Sequence, residues 1–89
     1  ALIGNDYRWN AEVQIQIDNY GADRVYGCDL DATANYADAA AGLGADAGTI
    51  DAADDLDAAL AAALKNPGVS CLNILIDSYA APKFIPMKL

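Results

Sequence analysis

Apolar residues open the chain in a short run, Ala1-Leu2-Ile3, which ends in the turn-formers Gly4 and Asn5. A buried parallel strand delivers its chain to a loop in this way, so the run predicts the last half of a strand. Between Arg8 and Ile17 the residues Trp9, Val13 and Ile17 recur four apart, with Glu12, Gln14 and Gln16 between them, which predicts a helix with one apolar stripe. The alternation Val13-Gln14-Ile15-Gln16-Ile17 also permits a strand. From Asp18 to Asp31 no period persists, and Asn19, Gly21 and Gly27 among charged residues predict a long connecting loop.

Helical spacing returns at Tyr36, Ala39, Ala40 and Leu43, with Asn35 placed as an N-cap and Gly42 and Gly44 as the stop. A short helix from about Tyr36 to Gly42 follows. Ala47 to Ile50 is a brief extended segment, after which Asp51 and Asp54 stand at capping-box-like spacing before an Ala/Leu-rich run to Leu64. Leu56, Leu60, Ala63 and Leu64 share one face of that predicted helix. Asn66-Pro67-Gly68 ends it, because Pro cannot continue a helix and Gly accepts left-handed dihedrals, and Val69 to Ile76 resumes as a strand. The tail beyond Asp77 holds Pro82 and Pro86 and is expected to be irregular.

The resulting order is strand, helix, loop, helix, strand, helix, strand. It predicts an α/β fold, a partial open parallel sheet with flanking helices, although three short strands make a poor sheet on their own. Ligands of such sheets sit beyond the carboxyl ends of the strands, which points to the loop that follows Ile3.

Composition narrows this picture. A chain of 89 residues makes one compact domain at most, and one this small buries only about 60–65% of the surface its unfolded chain exposes. Hydrophobic residues make up 55% of it, but Ala supplies much of that share and adds little area to a core, so good helices around a thin core are expected. Thirteen acidic residues against five basic ones give a formal charge of -8, which repels a phosphate backbone and argues against nucleic acid as a partner. Val69 to Ile76 is interrupted by Ser70 and Asn73 and is far shorter than the roughly 20 residues of a membrane span. Ala1-Leu2-Ile3-Gly4 has no basic segment before it and reaches Asn5 and Asp6 at once, so nothing implies export and a cytoplasmic protein is expected. Cys28 and Cys71 match no CxxC or Cys/His metal spacing in a chain without His, and they read as buried reduced thiols.

Leu2-Ile3-Gly4-Asn5-Asp6-Tyr7-Arg8-Trp9 resembles the end of the thiamine-diphosphate motif, in which an apolar strand runs into Asn, often Asn-Asn, before a loop and a helix. Asn35 to Gly44 is similar to the family's "Asp-Phe/Tyr-x-x-x-Ala-x-x-x-Gly" helix, Asp54 to Leu60 to its "Glu-Glu-Leu-x-x-Ala-Leu" helix, and Pro67 to Asp77 to its closing "Pro-x-x-Ile-x-Val-x-Ile-Asp" strand. Four such pieces in the right order mark a resemblance to enzymes of the acetolactate synthase, 2-oxoacid decarboxylase and 2-hydroxyacyl-CoA lyase type, over nearly the whole chain. Residues 1–77 would then be the C-terminal part of the diphosphate-binding domain, with 78–89 as a tail.

The resemblance implies thiamine diphosphate and Mg²⁺ as cofactors, with Asn5, Asp6 and Tyr7 as the cofactor-binding loop. It also implies that the Asn5 side chain and the Tyr7 backbone carbonyl ligate the metal, a sensible role for hard oxygens that share an octahedron with phosphate and water. The covalent chemistry on a small 2-oxo or 2-hydroxyacyl substrate would be the cofactor's. The family's Gly-Asp-Gly, whose Asp is a further magnesium ligand, and its activating glutamate do not occur here, so the resemblance implies that the remainder of the enzyme carries them, in a homo- or hetero-oligomer. Gly4 stands where the commoner pair has its first Asn, and Asp6-Tyr7-Arg8 replaces a more usual glycine-containing loop, which leaves subgroup and substrate open.

Each signal has a plainer reading beside it. Asn5 suits a turn after a strand through its own amide. Trp9, at helical spacing with Val13 and Ile17, reads as core, and the acids from Asp51 to Asp57 read as helix-start residues favoured by the macrodipole, since they lack calcium-loop spacing. Glu12 is the only glutamate, has no second acid or His at defined spacing, and reads as a polar-face residue; no catalytic residue is assigned. The competing overall reading is a non-catalytic acidic α/β interaction or subunit module that no longer binds cofactor.

Overall fold

The computed structural model describes residues 1–78. Along the chain run β1 (Leu2–Asn5), α1 (Asn10–Tyr20), α2 (Tyr36–Gly42), β2 (Asp46–Ile50), α3 (Leu56–Lys65) and β3 (Ser70–Leu75), with 3-10 turns at Ala22–Arg24 and Ala53–Asp55. This is the expected order of elements. The described residues divide into two compact units, one made of Ala1–Asp6 and Asp31–Ile76, the other of Tyr7–Leu30 with Asp77 and Ser78.

The first unit is built on a three-stranded sheet, order β1-β3-β2, parallel throughout. Its central strand buries Cys71, Leu72 and Asn73 in succession, as a parallel strand covered on both faces must, whereas the edge strands β1 and β2 are partly exposed. The β1-to-β2 connection travels across β3 and the β2-to-β3 connection returns. Right-handed crossovers running in opposite directions put their helices on opposite faces, so α2 and α3 sandwich the sheet. On the α3 face, Ala59, Ala62 and Ala63 oppose Gly48, Ile50 and Leu72 across a cleft of about 220 Å³, which small side chains on both sides leave unfilled.

Local chemistry sets the helix ends. Asn35 caps α2, its side-chain oxygen accepting the Asp38 N–H, and Gly44 past the other end takes a φ of 100°, open to glycine at little cost. Asp51 and Asp54 do not cap α3 as their spacing suggested. A 3-10 turn intervenes, closed by the Asp55 N–H on the Ala52 carbonyl, and the side chain at the α3 N-cap position, Asp55, makes no cap bond. Leu56, Leu60 and Ala63 are half-buried, but Leu64 is 87% exposed, since it stands about 80° around the helix from Leu56. Asn66 closes the turn into β3, donating to Ser70 Oγ at 2.8 Å and accepting the Gly68 N–H at 3.2 Å.

In the second unit the Val13–Ile17 segment is helical, and the strand alternative is set aside. The helix starts later than expected and runs three residues past Ile17, where Gln14 Nε2 reaches Asp18 Oδ1 at 2.8 Å and Asn19 Nδ2 reaches the Ile15 carbonyl at 2.8 Å. It stops at Gly21, whose N–H bonds the Ile17 carbonyl. Val13 is buried and Ile17 half-buried, but Trp9 is 61% exposed. The core reading of Trp9 fails because the residue stands at the N-cap position, outside the helical dihedrals that would align it with the stripe. The expected loop from Asp18 to Asp31 therefore begins as helix. Its later part pairs with residues 7–9: the Trp9 N–H donates to the Cys28 carbonyl and the Leu30 N–H to the Tyr7 carbonyl, both at 2.8 Å, with Arg8 and Asp29 forming an antiparallel bridge and an ion pair of 3.0 Å.

Cys28 and Cys71 are buried free thiols, as expected. Together with Val13, Ala37 and Leu72 they are the buried hydrophobic residues of the described chain, so the core is thin. No helix among the described residues is long and apolar enough to cross a membrane. The expected irregular tail with Pro82 and Pro86 lies outside the described residues.

Candidate functional site

Parallel strands end on one edge, and the carboxyl ends of β1, β3 and β2 are Asn5, Leu75 and Ile50. Asn5 is 6% exposed, unusual for an amide that closes an edge strand. Its main-chain carbonyl accepts the Ile76 N–H at 3.0 Å, and its side-chain Nδ2 donates to Asn73 Oδ1 at 3.1 Å. Alternation along the strands puts Asn5, Ile3, Asn73 and Cys71 on one face of the sheet and Gly4, Leu72 and Ile74 on the other. The Asn5–Asn73 bond is thus a diagonal contact on a single face, between buried groups. Such a bond adds only about 1 kcal/mol net, but leaving either amide unpaired there costs about 1–3 kcal/mol.

Asp6 follows as a half-buried residue and closes this stretch of the first unit. Tyr7 belongs to the second unit and has a φ of 54°, the one positive value among the described residues other than glycine. A bulky side chain in this region costs roughly 1–3 kcal/mol and persists only where the surroundings hold it. What holds it within its unit is the pairing of residues 7–9 with 28–30, in which the Tyr7 carbonyl accepts the Leu30 N–H.

The three residues expected from sequence thus fall in one continuous stretch, Asn5 and Asp6 in one unit and Tyr7 in the next. Sequence reasoning overlooked Asn73, 1% exposed and the most deeply buried side chain described. Its signal is an amide inside an otherwise apolar strand. Such a group is tolerated only with partners, and here it accepts from Asn5 and donates to Thr49 Oγ1 at a long 3.5 Å. A second cleft, about 230 Å³ and lined by Ile50, Ala52, Leu56, Ile74 and Leu75, also lies at the carboxyl edge. Ile50 and Ile74 place it on the face opposite Asn5, so it does not extend the site.

Among the described residues no three of His, Cys, Asp and Glu gather as a metal-holding group. The Asn5 amide and the Asp6 carboxylate carry hard oxygens of the kind Mg²⁺ accepts alongside phosphate and water, so these two residues fit such a cation by their chemistry.

No curated protein matches the chain. The family model described as thiamine pyrophosphate enzyme, C-terminal TPP binding domain, matches residues 1–74, from the start of the chain through β1 and nearly to the end of β3. The open parallel sheet and its flanking helices agree with that match, and the chain belongs to the thiamine pyrophosphate enzyme family, matching its C-terminal TPP-binding domain.

Proposed function

We propose that this domain supplies the asparagine arm of a magnesium–diphosphate anchor in a lyase, carboligase or decarboxylase acting on 2-oxo or 2-hydroxyacyl substrates. The observation that carries this reading is the buried Asn5 amide at the carboxyl end of β1, held by its nitrogen on Asn73. A turn-forming asparagine needs no such burial. The Tyr7 carbonyl is assigned as a second oxygen ligand from its spacing two residues after Asn5, and the left-handed backbone of Tyr7 supports a constrained role. Asp6 is assigned to the cofactor-binding loop as the residue that joins Asn5 to Tyr7.

Bound thiamine diphosphate supplies the nucleophilic carbon and the electron sink of the reaction. Residues of this domain bind and orient the diphosphate end and contribute no acid, base or nucleophile. Gly-Asp-Gly and the activating glutamate are assigned to the remainder of the enzyme, in a homo- or hetero-oligomer. The test is Asn5→Ala in the assembled enzyme. Magnesium-dependent cofactor affinity is expected to fall on the order of tenfold or more while the cofactor-free protein stays folded. Full affinity in that variant would refute the metal role, and loss of fold without cofactor would favour the turn-forming role.

A further inference from the structure

We propose that Asn73 is the positioning residue for Asn5, fixing which end of the Asn5 amide meets the cation; this rests on the reading of Asn5 as a magnesium ligand. An asparagine amide has nearly the same shape in its two flipped orientations, and only its hydrogen bonds choose between them. For Asn5 the choice is consequential, because the oxygen attracts a cation and the NH₂ repels it. Asn73 Oδ1 takes the Asn5 nitrogen at 3.1 Å and thereby turns the Asn5 oxygen away from β3.

Three features suit Asn73 to this task. It sits on the central strand, paired with Ile3 on one side and Thr49 on the other, so its backbone is held by ladders on both edges. Its side chain is 1% exposed, so water has no ready access to replace the acceptor. Its own nitrogen donates to Thr49 Oγ1 at 3.5 Å, which favours the orientation that leaves Oδ1 for Asn5. Apolar residues of similar size fill such strand positions without a polar group to satisfy, so the amide needs a reason beyond packing. Outer partners that orient metal ligands commonly set affinity without touching the metal.

The test is a double-mutant cycle in the assembled enzyme, with wild type, Asn5→Ala, Asn73→Leu and the double variant. Thiamine diphosphate affinity is measured at several magnesium concentrations, and the melting temperature is measured without cofactor. Asn73→Leu is expected to weaken magnesium-dependent affinity roughly 10–100-fold when Asn5 is present. On the Asn5→Ala background the same change is expected to matter less than about twofold, because the residue acts through Asn5. Asn73→Asp, which keeps an acceptor in place, is expected to recover most of the loss.

A merely structural Asn73 predicts the same factor on both backgrounds, and that result would overturn the proposal. Asn5→Ala weakening the cofactor while folded Asn73→Leu leaves it unchanged overturns the positioning role alone. If Asn5→Ala itself has no effect, the metal reading fails and takes the positioning role with it. Should Asn73→Leu not fold, Asn73→Ser, too short to reach the Asn5 amide, goes through the same cycle with the same two outcomes.

Discussion

Asn35 and Asp38 hold each other in both directions: the Asp38 N–H donates to Asn35 Oδ1 at 3.0 Å, and Asn35 Nδ2 donates back to Asp38 Oδ2 at 2.7 Å. The reciprocal pair starts a helix of only seven residues, too short to persist on propensity alone. Asn35→Ala is expected to destabilise the fold by about 1 kcal/mol, seen as a lower urea midpoint at unchanged slope. An unchanged midpoint would show that packing, not the cap, holds α2.

Tyr7 is assigned to the metal through its main-chain oxygen, so its side chain is dispensable for that role. Tyr7→Phe is expected to keep magnesium-dependent cofactor affinity within about twofold of wild type, because the carbonyl and its bond from Leu30 are untouched. Equilibrium titration checks this, and a large loss would transfer the role from the backbone to the phenol.

Calorimetric titration of the 89-residue chain alone with thiamine diphosphate and Mg²⁺ is expected to give very weak binding. One amide and a few carbonyls do not complete an octahedron, and the opposing protein surface is missing. Low-micromolar affinity from this chain by itself would show that the site is more complete than assigned. Restored affinity on adding the Gly-Asp-Gly part would support the shared anchor against a module that no longer binds cofactor.

The Asp31 carboxyl is held below its ordinary range, first by the Thr33 hydroxyl at 2.6 Å and then by the Thr33 N–H at 2.8 Å. A depressed value favours the folded state above the ordinary carboxylate range, and the advantage is lost as pH falls through the folded value. Thr33→Val removes the larger cause and keeps the N–H. Carboxyl-carbon NMR titration is expected to show Asp31 moving back toward the ordinary value; no movement would assign the depression to the backbone alone.

How much of this was legible in the sequence varies with how local the deciding chemistry is. The bounds of α2 follow from Asn35, Gly42 and Gly44, all within one turn of its ends. Trp9 misleads because the start of α1 depends on the pairing of residues 7–9 with Cys28 and Leu30, some twenty residues on, which no helical period registers. Asp51 and Asp54 mislead for a nearer reason, since capping-box spacing is equally compatible with a 3-10 turn ahead of the helix. Asn5 is readable as a strand end with candidate chemistry. Asn73 is readable as a polar group in an apolar strand, but its partner lies 68 residues away, and only the sheet order brings the two amides together.

Of the three strands described, the central one comes last in sequence. β1 and β2 each pair with β3 and not with each other, so none of the ladders among these three can form before Ser70–Leu75 is available. Pairing of this non-local kind is slow, because the intervening chain must be ordered before the ladder rewards it. The β1–β3 ladder is also what brings Asn5 to Asn73. A change that unseats β3 therefore releases both of its neighbours at once, whereas one that unseats β2 leaves the β1–β3 ladder and the amide pair with their own partners.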